Sequence, residues 1–322
     1  MKNLVNKMAS QLGRHITLHK PRLNAVLPDG SRLSASFPPI SFEPVVTLRK
    51  FREKPFTPAE LIANNTISSE AMAFLWMAMQ TDCSILIAGN TGSGKTTLLN
   101  ALFAFVPRHE RIVITEETPE ISVPHKHIAK VHVVENLGIG MSELIVDTLR
   151  MRPDRVVIGE VRNIEEVAAF MDTLLAGQGK GSYATFHSRN ANEAIARLRK
   201  LGVNEIDIPA IDIIIVQKRW NKIANGRTSG EERHTTEICE VSENDGRVEL
   251  NKLFEFSFES KRIVKKNEST KLSEKIMNSF GIDRPMMKKE LGKRRKWLEK
   301  KSGQQIAMQE FFGEVNDWQC EN

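Results

Sequence analysis

One stretch of the sequence decides the fold: the apolar run Ser84–Ala88 (SILIA), followed directly by Gly89–Thr96 (GNTGSGKT). The apolar run predicts a buried strand, and the eight residues after it match the phosphate-loop pattern GxxxxGK[ST]. A helix is predicted next, from Thr97 to Phe105. The pattern requires a strand, a glycine loop and a helix in this order, so the sequence predicts a purine triphosphate site.

Each residue type in the loop has a task in holding a triphosphate. The glycines let backbone N–H groups turn toward the phosphates, and the helix N-terminus adds positive potential. Lys95 would neutralise the β- and γ-phosphates, and the Thr96 hydroxyl would bind Mg²⁺. The predicted nucleotide-binding residues here are Gly89, Asn90, Thr91, Gly92, Ser93, Gly94, Lys95, Thr96 and Thr97. The reaction stays open, because kinases, GTPases and motors share this loop.

Apolar runs and helical stretches alternate around the loop. Predicted strands lie at 112–114, 156–158, 183–186 and 211–216, and predicted helices at 67–80, 141–151, 163–175 and 191–201. Such alternation predicts an α/β fold, with a mainly parallel sheet between helices.

Composition divides the chain into four segments. Residues 1–56 hold short apolar stretches broken by prolines, which predicts a short N-terminal α+β segment. We predict a linker at 57–65, the P-loop domain at 66–265 and a helical basic tail at 266–322. In the tail, Met287, Leu291 and Leu298 would share one helical face.

Hydrophobicity, cysteine content and net charge argue against several classes of protein. The 322 residues contain no run of about 18 apolar residues, and the N-terminus lacks the features of a secretory signal, so we expect a cytoplasmic protein. Cys83, Cys239 and Cys320 form no CxxC pair, which argues against a disulfide framework or a structural zinc site. The whole net charge of +6 lies in residues 261–322. That tail could touch nucleic acid, an acidic partner or anionic lipid, but a solvated helix face is the commoner explanation.

Polar residues follow the predicted strands. Glu116 and Glu120 come after the strand at 112–114, and Glu160 after the strand at 156–158. The carboxyl ends of parallel strands line one crevice, so these carboxylates could converge on one magnesium–ATP, where hydrolysis needs them. At the end of the next predicted strand, 183–186, Thr185 and His187 are two residues apart and lie on one side, which suits a sensor of the γ-phosphate. Taken alone, each of the three glutamates would more often be an ordinary surface residue, and His187 would more often be a structural or surface histidine.

Together these motifs resemble the secretion-superfamily traffic ATPases, the motors of type II and type IV secretion, type IV pili and archaeal surface filaments. The glycine loop looks like their Walker A motif, Arg111–Ile121 like their acidic box, Leu149–Arg162 like their atypical Gly-Glu Walker B motif, and Gly181–Ser188 like their His box. The resemblance covers about residues 20 to 260, implies a RecA-like P-loop NTPase core, and in the basic tail is closest to archaeal members.

The resemblance also implies roles for individual residues. Glu120 would activate water, Glu116 would assist at the metal, Glu160 would be the Walker B acid and His187 would sense phosphate. The implied metal ligands are Thr96, Glu160 and Glu116. Arg49, in the segment Val46–Phe51, would cover the nucleotide. Four arginines near the Walker B motif could stabilise transition-state charge or form interface ion pairs: Arg150, Arg152, Arg155 and Arg162.

This sequence departs from the family pattern at several points. Glu117 replaces the aspartate that names the acidic box, Gln178-Gly179 stands where a Gly-His pair is usual, and the N-terminal domain is short. A four-cysteine zinc insertion, typical of the large type II secretion and pilus-extension branch, is missing from the sequence.

The implied function is that of a Mg²⁺-dependent ATPase, with ATP and Mg²⁺ as cofactors. It would form a homo-hexamer in which residues 52–65 act as a hinge, and would push on an integral membrane platform protein from the cytoplasm, at the periphery of the membrane. It would serve assembly of a pilus- or archaellum-like filament, or protein secretion. A nucleic-acid-translocating ATPase is one alternative, disfavoured by 6% aromatic residues and no visible aromatic–basic platform. No nucleic-acid partner is therefore expected. A non-hydrolysing, nucleotide-switched scaffold is the other alternative.

Overall fold

The computed structural model describes residues 2–10, 15–50, 54–134, 137–177, 179–224 and 227–321. The chain divides into two compact units. The first unit contains Met1–Glu53 and Thr118–Glu120, and the second contains Lys54–Glu117 and Ile121–Asn322. The predicted linker at 57–65 contains a helix, Pro58–Ala63, and residues 52 and 53 of the predicted hinge at 52–65 lie outside the described residues. The predicted domain boundaries stay a prediction.

The first unit is a small α+β structure, as predicted. It contains helix α1 (Lys2–Ser10) and the strands β1 (Arg22–Val26), β2 (Arg32–Ser36) and β3 (Val45–Arg49). The strands form an antiparallel sheet in the order β1-β2-β3. Val5 and Ala9 of the helix share a small core with Leu23 and Leu33 of the sheet, so the amphipathic helix covers one sheet face.

The second unit is built on a nine-stranded sheet. Its strands are β4 (Ile85–Gly89), β5 (Ile112–Glu116), β6 (Ile128–His132), β7 (Arg155–Val161), β8 (Ser182–Phe186), β9 (Ile213–Ala224), β10 (Arg227–Asn244), β11 (Arg247–Ser257) and β12 (Arg262–Lys265). Its helices are α2 (Pro58–Ala63), α3 (Ser69–Met79), α4 (Lys95–Leu102), α5 (Met141–Thr148), α6 (Ile164–Leu175), α7 (Ala191–Lys200), α8 (Lys271–Phe280), α9 (Arg284–Lys301) and α10 (Met308–Glu321).

The strand order is β12-β11-β10-β9-β4-β8-β7-β5-β6. The strands from β9 through β4, β8, β7 and β5 to β6 pair in parallel, which confirms the predicted α/β fold. The strands from β9 to β12 pair antiparallel, and the sequence did not predict that part of the sheet beyond Val216.

The sheet has a hydrophobic core on each face. Ile85 and Ile87 of β4 belong to one core, and Leu86 and Ala88 belong to the other. Alternate side chains of a strand point to opposite faces, so a strand covered on both sides must be apolar throughout. This is why the run before the glycine loop is continuous.

The C-terminal helices belong to the first of these two cores. Trp76 of α3 stacks on Phe105 at a centroid distance of 4.9 Å and contacts Trp297 of α9 and Trp318 of α10 at 5.3 and 5.1 Å. The helical tail was predicted. Its helix α8 is fixed to the sheet by Glu240, a fully buried carboxylate that accepts a hydrogen bond from the Leu272 backbone N–H at 2.7 Å.

Candidate nucleotide site

The glycine loop joins β4 to α4 as the sequence predicts. A Cβ atom at Gly89, where φ is +154°, would lie 2.4 Å from the Gln217 carbonyl oxygen and 2.5 Å from Ser93 Oγ. Gly94, with φ of +97°, is the N-cap of α4, which begins at Lys95. Only glycine fits the first position, because β9 lies directly against it.

Lys95 points into the loop. Its side chain is almost fully buried, and Nζ donates to the carbonyl oxygens of Gly89 at 2.9 Å and Asn90 at 3.3 Å. A buried ammonium that donates to these two carbonyl oxygens places a positive charge inside the loop. The chemistry of this cradle, with glycine turns, a helix N-terminus and one lysine, fits a bound triphosphate.

Glu160 and His187 are in contact. They lie near the ends of the adjacent strands β7 and β8, and β8 is the neighbour of β4. His187 Nε2 is 2.7 Å from Glu160 Oε1, and Arg197 of α7 donates to the His187 carbonyl oxygen. Partial burial lowers the pKa of His187 from its ordinary 6.5, and the Lys95 charge lowers this pKa further, outweighing Glu160. The contact is therefore a hydrogen bond from a neutral imidazole to the carboxylate.

Glu116 lies beside the Walker B glycine. It ends β5, is 4% exposed, and its Oε1 accepts a hydrogen bond from the Ile121 N–H at 2.8 Å. A Cβ atom at Gly159 would lie 3.2 Å from Glu116 Cγ. Thr185 Oγ1 of β8 donates to the Gly159 carbonyl oxygen at 2.6 Å. The structure thus places Glu116, Glu160 and Thr185 along neighbouring strand ends, while their catalytic and metal-binding roles stay predictions.

Glu120 belongs to the first unit, where it faces two arginines. Its Oε1 lies 3.1 Å from Arg32 Nη2 and 3.4 Å from Arg49 Nη1. Arg32 and Arg49 are directly opposite each other in the β2–β3 pair, an arrangement that is unfavourable between like charges unless an anion joins them. The sequence analysis named Arg49 but missed Arg32, because only the strand register pairs them. The roles of Glu120 in activating water and of Arg49 in covering the nucleotide stay predictions.

Arg155, one of the four arginines near the Walker B motif, lies in the core and away from the candidate site. Its side chain is fully buried at the start of β7, where Nε lies 2.6 Å from Glu110 Oε2 and Nη1 donates to Tyr183 Oη at 2.6 Å. Nη1 also donates to the carbonyl oxygens of Thr81 and Lys180, each at 2.9 Å. Because Arg155 is enclosed at the far end of its strand from Glu160, the suggested transition-state role is wrong for this residue.

Two of the other Walker B arginines lie at the surface. Arg162 contacts both Glu160 and Glu117, and Arg150 pairs with Asp147 at 3.3 Å. Arg162 is thus the arginine of this group that touches a candidate site carboxylate. Glu117, the departure from the usual aspartate, serves as its second partner.

The antiparallel part of the sheet adds groups that the sequence analysis missed. Trp220 contacts the rings of His234 at 5.0 Å, Phe256 at 4.7 Å and Phe258 at 5.6 Å. Lys222, two residues beyond Trp220 on the same strand, pairs with Glu232. Pairing of β9, β10 and β11 thus assembles an aromatic cluster from positions far apart in the chain, with a lysine on the same strand. The expectation of no nucleic-acid partner stays a prediction.

The described residues contain no cluster of three or more His, Cys, Asp or Glu side chains suited to a metal ion. Mg²⁺ in nucleotide sites is usually held by one or two protein groups together with phosphates and water. The Thr96 hydroxyl with Glu116 or Glu160 fits that smaller set. Within the described part of the chain, every helix is too short or too polar to cross a bilayer.

The sequence profile of the Type II/IV secretion system protein family matches residues 2–299. The chain belongs to this family. The match confirms the resemblance drawn from the Walker A, acidic, Walker B and His boxes.

Individual relatives agree with this assignment. An uncharacterized protein of Methanocaldococcus jannaschii, MJ0781, is 41% identical over 174 residues, which are 50% of this chain and 24% of the relative. This chain therefore spans about a quarter of the length of that relative. The type IV secretion system protein VirB11 of Bartonella henselae is 31% identical over 265 residues, covering 66% of this chain and 74% of VirB11.

The structure is also similar to a solved structure, that of the ATPase DotB from Legionella pneumophila. The TM-score is 0.51 at 19% identity, over 99% of this chain and 79% of DotB. At this identity the likeness supports the fold alone.

Proposed function

We propose that this chain is a Mg²⁺-dependent ATPase that works as a homo-hexameric ring at the cytoplasmic face of a membrane. It couples ATP hydrolysis to assembly of a pilus- or archaellum-like filament or to protein secretion, through an integral membrane platform protein. The observation that carries the proposal is the contact between His187 and Glu160, next to the strand that presents Lys95.

The geometry supports a way to sense the terminal phosphate. Partial burial and the Lys95 charge together lower the pKa of His187, which favours a neutral imidazole before nucleotide binds, even beside Glu160. A γ-phosphate beside Lys95 would offset that charge and raise the pKa of His187. The imidazole would then gain a proton and attract both the phosphate and Glu160. Loss of phosphate after hydrolysis would reverse the change.

The remaining residues have simpler tasks in this mechanism. The glycine loop binds and orients the triphosphate, and Thr96 with Glu116 or Glu160 holds Mg²⁺, which supplies charge neutralisation at the phosphates. Glu120 orients the attacking water, and Arg49 covers the nucleotide. Residues 52–65 act as the hinge that converts hydrolysis into movement.

Steady-state phosphate release from the full chain tests the proposal, with and without Mg²⁺ and with and without vesicles of anionic lipid. We expect turnover that requires Mg²⁺ and is lost in Lys95→Ala, Glu120→Gln and Glu160→Gln. The matched control is Glu249→Gln, an exposed glutamate on β11 outside this site. Nucleotide binding without turnover under every condition would instead favour the non-hydrolysing scaffold.

The cluster around Trp220 favours keeping the nucleic-acid-translocating ATPase as a second candidate. Aromatic rings beside a lysine can stack on nucleic-acid bases and attract the backbone. Phosphate release is therefore also measured with single-stranded and double-stranded DNA and with RNA. We expect no stimulation; a stimulation that falls steeply with salt and disappears in Trp220→Ala would replace our proposal with this one.

A further inference from the structure

Two arginines of the antiparallel hairpin lie against the glycine loop. Arg219 of β9 and Arg233 of β10 are directly opposite each other in the ladder, so their side chains share one face. Arg233 Nε donates to the Gly92 carbonyl oxygen at 2.9 Å. A Cβ atom at Gly92 would lie 3.2 Å from Arg219 Nη1, so the second guanidinium reaches the same point of the loop.

Three basic side chains meet at this part of the glycine loop. Glu231 lies 3.4 Å from Arg219 and 3.4 Å from Arg233, so one carboxylate faces two guanidinium groups. Both arginine side chains are 45% exposed, and they can therefore change partners without opening the core. Lys95, held inside the same loop, adds a third cation. The cluster is complementary to an anion with several charges.

The chemistry of the two side chains fits phosphate. A guanidinium group presents planar N–H donors that match a phosphate group, and such charge-assisted hydrogen bonds are stronger than those to a neutral carbonyl. Gly92 lies in the loop whose backbone amides cradle phosphates. A guanidinium group that donates to the Gly92 carbonyl oxygen therefore lies at the loop that would bind the phosphates.

We propose that Arg219 and Arg233 are phosphate-binding residues of this chain's own nucleotide site, where Arg233 exchanges the Gly92 carbonyl oxygen for a phosphate oxygen when ATP binds. This inference rests on the proposed function, since it requires that the glycine loop bind ATP. It adds a pair of cations supplied by the same chain as the loop, from a part of the sheet outside the four family boxes.

Equilibrium binding of a fluorescent ATP analogue to the full chain tests the inference, with Mg²⁺ present and at several salt concentrations. We expect Arg219→Gln and Arg233→Gln each to weaken binding by about 10-fold to 100-fold, the scale of one hydrogen bond to a charged group. The salt dependence of the binding constant should fall as well, because one charged contact is lost. The matched control is Arg227→Gln, an exposed arginine on β10 that lies about 20 Å farther along the strand and should bind ATP as the wild type does.

Arg233→Lys separates a phosphate contact from simple support of the loop. Glutamine keeps an N–H donor for the Gly92 carbonyl oxygen but no charge, whereas lysine keeps the charge. Phosphate binding predicts that lysine recovers part of the affinity and glutamine does not. Equal affinity of the two variants, or wild-type affinity in both glutamine variants, would overturn the inference. Failure of the glycine loop to bind ATP looks different, because the wild type and Lys95→Ala would then both fail to bind the analogue. Failure of hydrolysis alone would appear in the phosphate-release assay and leave this binding test unchanged.

Discussion

Replacement of Arg155 by methionine separates a structural role from a catalytic one. The change removes the buried guanidinium from Glu110, which is 1% exposed and also lies 2.8 Å from Lys180 Nζ. Breaking a buried pair by removing one partner costs about 3 to 5 kcal/mol, because it leaves an uncompensated charge. Burial acts to lower the pKa of Arg155, but Tyr183 and Glu110 raise this pKa overall, so the guanidinium is charged in the native protein.

The free energy of unfolding is measured by urea denaturation followed by tryptophan fluorescence, since Trp76 is fully buried. For a domain of this size, about 3 to 5 kcal/mol corresponds to a fall in melting temperature of roughly 6 to 20 °C. The double variant Glu110→Leu/Arg155→Met removes both charges and should recover most of the lost stability. Phosphate release per folded molecule should be unchanged in both variants, because Arg155 starts β7 about 16 Å along the strand from Glu160.

Two results would refute this reasoning. A loss of less than about 1 kcal/mol in Arg155→Met would mean that the buried pair contributes little to stability. A large fall in phosphate release with unchanged stability would mean that Arg155 acts on the reaction, as the sequence alone suggested.

Three further predictions follow from single contacts. In Gly89→Ala the new Cβ would lie 2.4 Å from the Gln217 carbonyl oxygen, so ATP binding measured by calorimetry should be lost, whereas Gly246→Ala, in an open turn, should bind normally. Burial acts to raise the pKa of Glu240, but hydrogen bonds from Ser269 and the N-terminus of α8 lower this pKa overall, so the carboxylate stabilises the fold above its ordinary pKa of 4.5 and this stability is lost as the pH falls through the lower native pKa. Glu240→Gln should cost about 1 to 3 kcal/mol of unfolding free energy at pH 7 and should reduce the loss of stability in acid, measured by urea denaturation at several pH values. His187 should titrate below 6.5 in NMR spectra and at a higher pH in Lys95→Ala; a downward shift in that variant would contradict our account of its pKa.

The central part of the fold was predictable because a strand that is buried on both faces is a continuous run of apolar residues in the sequence. Ile85, Leu86, Ile87 and Ala88 must all be apolar, since two cores meet at β4. The glycines after them must be glycine for reasons of space and backbone angle. Sequence and structure therefore agree best at the strand–loop–helix unit of the proposed nucleotide site.

The outer part of the antiparallel strands has no such apolar run. The outer half of β10, residues 227–233, is polar on both faces and mostly exposed, so alternation does not distinguish a strand there. Polar strands also leave the register unspecified. Arg219 and Arg233 meet only because the β9–β10 register sets them opposite each other, and the same pairing brings Trp220 to Phe256 through β10 and β11. Residues joined by register alone cannot be found from their spacing in the chain.

The Gly-Glu form of the Walker B motif has a physical reason in this structure. An aspartate at position 159 would bring its Cβ 3.2 Å from Glu116 Cγ and 3.4 Å from the Thr115 carbonyl oxygen, which is tighter than most contacts of a real Cβ atom. Its carboxylate would also lie beside that of Glu116, and two carboxylates at one site resist ionising together. The missing side chain at Gly159 thus leaves room for Glu116, which comes from β5. Glycine at position 159 and glutamate at position 116 therefore depend on each other, because a larger residue at 159 would compete with the Glu116 side chain for the same space.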